Sequence, residues 1–179
     1  SLADNKVIGW CQGRAEWGPR ALGHRSILAN PAHPQMKEII NRKVKFREPF
    51  RPFAPVIKEE MLSEYFEMKN GEANGTKLNS PLYYMLEVLQ FREEMRPRFP
   101  AVVHVDGSGR IQAVAKELSP LFWHLIDCFE QITGIPLLLN TSFNVKGDPV
   151  VNTEEDALET FMKTDIDELV VGNIISTKK

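Results

Sequence analysis

Between Ser119 and Asn140 the chain spells out a helix and a strand with almost nothing between them. Ser119 and Pro120 suit an N-cap and a first turn, and Leu121, Leu125, Cys128, Phe129 and Ile132 recur at helical spacing. Gly134 ends the helix, and Pro136-Leu137-Leu138-Leu139 follows as a wholly apolar strand that stops at Asn140. Along the whole chain, strands and helices mix without strict alternation. The expected fold class is therefore α/β (α+β): a twisted mixed sheet with flanking helices in a single domain.

The rest of the chain fits that frame. Val7 to Cys11 and Ala54 to Ile57 read as buried strands, and Arg110 to Ala115 as another, entered through the turn Asp106-Gly107-Ser108-Gly109. Leu82 to Leu89 and Asp167 to Gly172 also read as strands. Met36, Ile39, Ile40 and Val44 make a helix over 34–45. Thr153 and Asp156 sit at capping-box spacing before a second helix whose expected inner face is Ala157, Leu158, Phe161 and Met162. Residues 67–80, with two Asn-Gly steps and no apolar period, read as an exposed loop. At 179 residues the chain is long enough to bury a core without metal or disulfide staples. Cys11 and Cys128 form no framework, and both are expected in the core. No apolar run of about 18 residues and no signal-peptide pattern occurs, so a cytoplasmic setting without membrane insertion is expected. Residue 1 is Ser rather than Met, which fits a piece cut from something longer or a processed start.

The net charge of -2 hides an asymmetry: residues 1–60 hold 11 Lys and Arg against 6 Asp and Glu. Three clusters carry the chemistry. Gly13-Arg14-Ala15-Glu16-Trp17-Gly18-Pro19-Arg20, continuing to Ser26, combines glycines with arginines that suit anions, or with Glu16 to stiffen a turn or interface. It is not a Walker A loop. Lys45, Arg47 and Arg51 alternate with phenylalanines on a proline-stiffened frame ending at Pro55. They line one wall for a polyphosphate, or snorkel over a Phe core; single-stranded nucleic acid is a weaker fit, for want of a long basic stripe. In the third, the apolar strand breaks into Asn140, Thr141, Ser142 and Asn144, which delivers polar groups to a strand end where α/β folds bind ligands, or simply makes a turn. Arg110 either joins that site or pairs with Asp106. His24, His33, His104 and His124 are too scattered for a metal site built from this chain alone.

Taken in order, GRAEWGPRALGHRSILANP, VKFREPFRPFAP, HVDGSGRIQAV and LLLNTSFNVKGDPVV resemble the C-terminal domain of the NodU/CmcH/TobZ carbamoyltransferase family. The resemblance covers nearly all of residues 1–179 and implies a YrdC-like domain that follows a larger, metal-holding ASKHA-type N-terminal domain. It implies that ATP, accompanied by Mg2+, and carbamoyl phosphate react to carbamoyl-adenylate, and that the N-terminal domain passes the carbamoyl group to an acceptor hydroxyl. By motif position, Lys45, Arg51 and Arg110 would be catalytic, while Arg47, Asn140, Ser142 and Asn144 would bind the nucleotide. Ser142-Phe143-Asn144 is similar to the S-x-N pattern of YrdC-like synthases, and both Lys45-Phe46-Arg47 and Lys45…Arg51 fit their basic pattern. No metal ligand is assigned within this chain. The expected partners are ATP, carbamoyl phosphate and the N-terminal domain, the last meeting the Arg14–Ser26 segment, which is then expected to be partly exposed. A nucleotide-binding docking module and a YrdC-like RNA-binding module are the alternatives.

Overall fold

The computed structural model describes residues 1–46, 48, 51–68 and 80–178. Eight strands form one mixed sheet: β1 (Ile8–Cys11), β2 (Arg25–Ala29), β3 (Ala54–Lys58), β4 (Glu87–Gln90), β5 (Ser108–Val114), β6 (Leu137–Ser142), β7 (Glu168–Val171) and β8 (Ile174–Thr177). Their order across the sheet is β4-β5-β3-β6-β2-β1-β7-β8. The central strand β6 runs antiparallel to both neighbours, with Asn140 opposite Leu28 on β2 and Ala54 on β3, and Ser142 opposite Ser26. β3 and β5 are parallel from Val56 and Gln112 onward, so both begin at the sheet end where β6 finishes. Pro55, which has no N–H to give, lies just before that parallel pairing starts.

Helices cover both faces. Among the described residues the α-helices are α1 (Met36–Ile40), α2 (Leu62–Tyr65), α3 (Pro120–Thr133) and α4 (Glu154–Lys163), and a π-turn, Asn41–Lys45, continues α1. On one face Ile8, Trp10, Leu28, Val56, Val114 and Leu138 pack with Phe122, Ile126 and Phe129 of α3. On the other, Ile27, Ile57, Leu137 and Leu139 pack with Met36, Ile40 and Val44 and with Ala157 and Phe161 of α4. Each of these large side chains contributes about 1.5–3 kcal/mol by leaving water. Gly134 takes the left-handed conformation that closes α3, with its N–H on the Glu130 carbonyl at 2.7 Å. The Thr153–Asp156 capping box is complete, with Thr153 Oγ1 accepting the Asp156 N–H at 3.1 Å.

Several expectations change. Leu82 to Leu89 is not one strand: Ser80 and Pro81 open a 3-10 turn over Pro81–Tyr84, Met85 turns left-handed, and only Glu87–Gln90 pairs. The Ser-Pro start favours a helical turn, which uses up half of the apolar run. β2 and β8 are strands that the apolar pattern did not mark. On α3 the buried face is Phe122, Ile126 and Phe129, while Leu121 and Ile132 are exposed. The helix carries two apolar stripes, and packing against the sheet selects one. Cys11 is buried, but Cys128 is half-exposed and lines an apolar cleft with Leu125, Ile132 and Ile175. On α4, Leu158 and Met162 are exposed. Of the loop expected over 67–80, residues 69–79 lie outside the described residues. The mixed sheet with flanking helices is the fold expected.

Candidate functional site

β6 changes character along one face. Leu138 lies under α3; Asn140 and Ser142, two and four residues on, carry that face to the end of the strand. β5 does the same in the other sense, from Arg110 through Gln112 to Val114.

Asn140 is buried, and its Nδ2 donates to Gln112 Oε1 at 2.7 Å and to the Ala21 carbonyl at 3.1 Å. Gln112 Nε2 in turn donates to the Leu22 carbonyl at 2.8 Å, and Trp10 Nε1 to the Gly23 carbonyl at 2.8 Å. These bonds clamp the loop between β1 and β2 onto the sheet. Gly23 sits at φ 108 with a Cβ position that would overlap the Phe122 ring, so only glycine fits there. Glu16 completes the clamp, its Oε1 accepting the N–H groups of Leu22, His24 and Arg25 at 2.7–3.0 Å. Arg25 is buried as well, and its guanidinium donates to the carbonyls of Gln12, Gly13, His24 and Asn152. The segment expected at an interface thus divides. Gly13 to Arg20 is largely exposed, with Trp17 wholly so, while Ala21 to Ser26 is held into the fold.

Lys45 closes the π-turn and reaches the end of β6. Its Nζ lies 2.5 Å from the Ser142 carbonyl, 3.2 Å from Ser142 Oγ, 3.1 Å from the Asn144 carbonyl and 2.8 Å from Asn144 Oδ1. Ser142 Oγ donates to Asn144 Oδ1 at 2.7 Å, and Asn144 Nδ2 to the Asp148 carbonyl at 2.8 Å. A buried ammonium is tolerated because these oxygens replace its water. Lys45, far from them in sequence, therefore forms one constellation with Ser142 and Asn144.

The other expected site cations have different settings. Arg51, just before β3, is exposed and paired to Glu48 at 3.3 Å, which also lies 3.8 Å from Lys146. Arg110 does not pair with Asp106; that carboxylate instead accepts the N–H and Oγ–H of Ser108, which hold it below its usual range. Burial, and secondarily the charge of Arg20, push the Arg110 guanidinium below its ordinary value, and its Nε has no hydrogen-bond partner. A guanidinium with an unmet donor, within reach of a second cation's charge, suits an anion. His104 is driven down mainly by burial, with Arg110 and Lys37 adding to the effect against Asp106. Arg47 lies outside the described residues.

Sequence reasoning did not assign Arg20 or Gln112 to the site. Arg20 lies in the segment expected at an interface, and the one signal at Gln112 is a polar residue set between Ile111 and the apolar pair Ala113-Val114. A cleft of about 590 Å³, lined by Trp17, Leu22, Tyr84 and Gln112 among others, adjoins this network. Among the described residues no three His, Cys, Asp or Glu side chains converge in a way that would hold a metal ion. Nor is any described helix long and apolar enough to cross a membrane.

The family model described as Carbamoyltransferase C-terminus matches residues 1–178. Nodulation protein NolO of Bradyrhizobium diazoefficiens is 45% identical over 178 residues, which are 99% of this chain and 31% of that protein. Nodulation protein U of Rhizobium tropici is 47% identical over 146 residues, 82% of this chain and 24% of that one. The chain thus spans 24–31% of the length of these curated relatives. Among solved structures, full-length HypF in a phosphate- and nucleotide-bound form superposes with a TM-score of 0.60 at 17% identity, covering 96% of this chain and 20% of HypF. That likeness is one of fold.

Proposed function

Because this chain belongs to the carbamoyltransferase C-terminal family, we propose that it handles ATP and carbamoyl phosphate for an O-carbamoyltransferase whose N-terminal domain completes the transfer. The observation that carries this reading is the constellation of Lys45, Ser142 and Asn144 at the end of β6.

In this reading carbamoyl phosphate is hydrolysed to carbamate and phosphate. A carbamate oxygen then attacks the α-phosphorus of ATP, and the bond to the β-phosphate oxygen breaks to release pyrophosphate and leave carbamoyl-adenylate. Such chemistry asks the protein for position and positive charge rather than for a nucleophile. Lys45 supplies a preorganised ammonium, since its four oxygen contacts fix it before any ligand arrives. Arg110 supplies an unmet donor, and Arg51 swings from Glu48 to clamp phosphate oxygens. Ser142 and Asn144 orient Lys45 and meet the phosphates beside it. Asn140 contributes differently: both contacts of its Nδ2 are made, so what it offers a ligand is its unpartnered Oδ1. That atom suits a hydroxyl or an N–H of the nucleotide. The cleft lined by Trp17 and Tyr84 has the volume for a nucleoside. The described residues do not build a magnesium cage, so Mg2+ is assigned only as the companion of the nucleotide phosphates. HypF, of like fold, was solved with phosphate and nucleotide bound, which supports a nucleotide role for this domain.

A second reading rests on the same cage. With its ammonium already coordinated by Ser142 and Asn144, Lys45 also fits a docking module that holds nucleotide without reacting. The purified chain, given ATP, carbamoyl phosphate and Mg2+, is expected to release pyrophosphate and form carbamoyl-adenylate, with no acceptor product. Binding of ATP without pyrophosphate supports the docking reading, and absence of ATP binding rejects both.

A further inference from the structure

Among the described residues, four buried side-chain polar atoms lack a hydrogen-bond partner: Arg110 Nε, Asn140 Oδ1, and both Nδ2 and Oδ1 of Asn41. Two of these residues belong to the site above. Asn41 is the one whose whole amide is unmet while the residue is 8% exposed. Buried polar groups are nearly always paired, because an unmade bond forfeits the water it displaced. An amide left bare in this way is a cost to the fold that some other task must explain.

Its place in the helix suggests the task. α1 ends at Ile40, and the backbone then widens into a π-turn closed by the Phe46 N–H on the Asn41 carbonyl at 2.7 Å. Isolated π-turns concentrate at functional sites. Asn41 and Lys45 are the first and last residues of this turn, four apart and both buried, while Arg42 between them is exposed. The turn thus sets Asn41 one turn before Lys45, whose ammonium meets the end of β6.

We propose that Asn41 is a specificity residue that recognises the carbamoyl group. A primary amide presents one acceptor and two donors side by side. Phosphate oxygens only accept, so phosphate would leave Asn41 Oδ1 unmet. A carbamoyl group, with an amino group and a carbonyl oxygen on the same carbon, satisfies both ends: Asn41 Nδ2 donates to the carbonyl oxygen, and Oδ1 accepts from the amino group. In carbamoyl phosphate that group is bonded directly to the phosphoryl oxygen, so one small ligand presents an amide and an anion together, as Asn41 and Lys45 come from one turn. An adenine edge offers a similar donor–acceptor pair, but the ribose separates it from the phosphates. The proposal rests on the carbamoyl phosphate reading above.

The test compares carbamoyl phosphate with acetyl phosphate, in which a methyl group replaces the amino group, on the wild-type chain and on Asn41→Leu and Asn41→Ala. The wild type is expected to prefer carbamoyl phosphate by about tenfold or more, because an analogue lacking the N–H strands the site's acceptor. Asn41→Leu, near in size but with no polar atom, is expected to bind the two about equally and to hold ATP within about twofold of wild type. Its Tm is expected to stay level or rise, since an unmet amide has gone. Asn41→Ala should lose the preference too. A preference retained in both variants overturns the proposal, as does an equal loss of ATP, which would assign Asn41 to the base. A lower Tm with loss of all ligands in proportion marks a structural role and also overturns it. A wild-type chain that binds no carbamoyl phosphate rejects the underlying reading and this proposal with it.

Discussion

Leu138 and Asn140 are neighbours on one face of one strand, yet they belong to regions built on opposite terms. Around Leu138 the face is apolar, and Phe122, Ile126 and Phe129 close over it. Around Asn140 the same face carries Ser142, Gln112 and Arg110, and two of the four buried atoms without partners among the described residues, Arg110 Nε and Asn140 Oδ1, are found there. The first region is satisfied by the chain itself. The second is complete only in part, and its unmet groups, together with cations set close to one another, are what a ligand would answer. The cost of one region is carried by the packing of the other, as expected where function and stability share a sheet.

The largest effect should come from breaking the apolar side. Phe122→Ala removes a buried ring at the α3–sheet contact and should cost about 3–5 kcal/mol in chemical denaturation, the range for aromatic truncation in a core. Gly23→Ala attacks the seam where the loop meets that ring: strain at φ 108 and overlap with Phe122 should together cost about 3 kcal/mol. On the polar side the sign is mixed. Arg110→Met removes an unmet, half-buried donor and should leave the unfolding midpoint level or higher. The same change should weaken ATP by about 1.5–3 kcal/mol in calorimetry, the scale of a charge-assisted hydrogen bond. A variant that unfolds early and binds normally would erase the distinction between the regions.

The smallest effect is a pH dependence. Burial holds His104 below its ordinary 6.5, so the folded chain favours the neutral ring while the unfolded chain protonates first. This contribution to stability is fully present above about pH 6.5 and is lost as pH falls through the folded value. His104→Gln should flatten the slope of unfolding free energy between neutral and mildly acid pH, measured by urea titration at several pH values.

Much of the apolar region was legible in the sequence, because it rests on patterns that short range decides. The run at Val7–Cys11, the Gly134 stop and the Thr153–Asp156 box each act through neighbours in the chain. What long-range packing decides was less legible. The two apolar stripes of α3 are nearly equal in sequence, and contact with Leu138 and Val56 selects Phe122, Ile126 and Phe129. β2 was hidden because its first residues, Arg25 and Ser26, close a segment whose charges and glycines read as a loop. At the site, the polar break after Leu139 marked Asn140, Ser142 and Asn144, and the motif resemblance joined them to Lys45. The use of Arg25 was not legible, since a sequence does not show that a guanidinium will be spent on four backbone carbonyls. Asn41 gave no signal at all, because its burial depends on a π-turn that no residue pattern announces.

The most direct test of the division between the two ends is to titrate the isotope-labelled chain with ATP and follow backbone and side-chain amide signals by NMR. The account expects shifts to gather at Lys45, Arg110, Asn140, Ser142 and Asn144, with the apolar cleft at Leu125, Ile132 and Ile175 unmoved. Shifts centred on that cleft, or no shifts at saturating ATP, would contradict it.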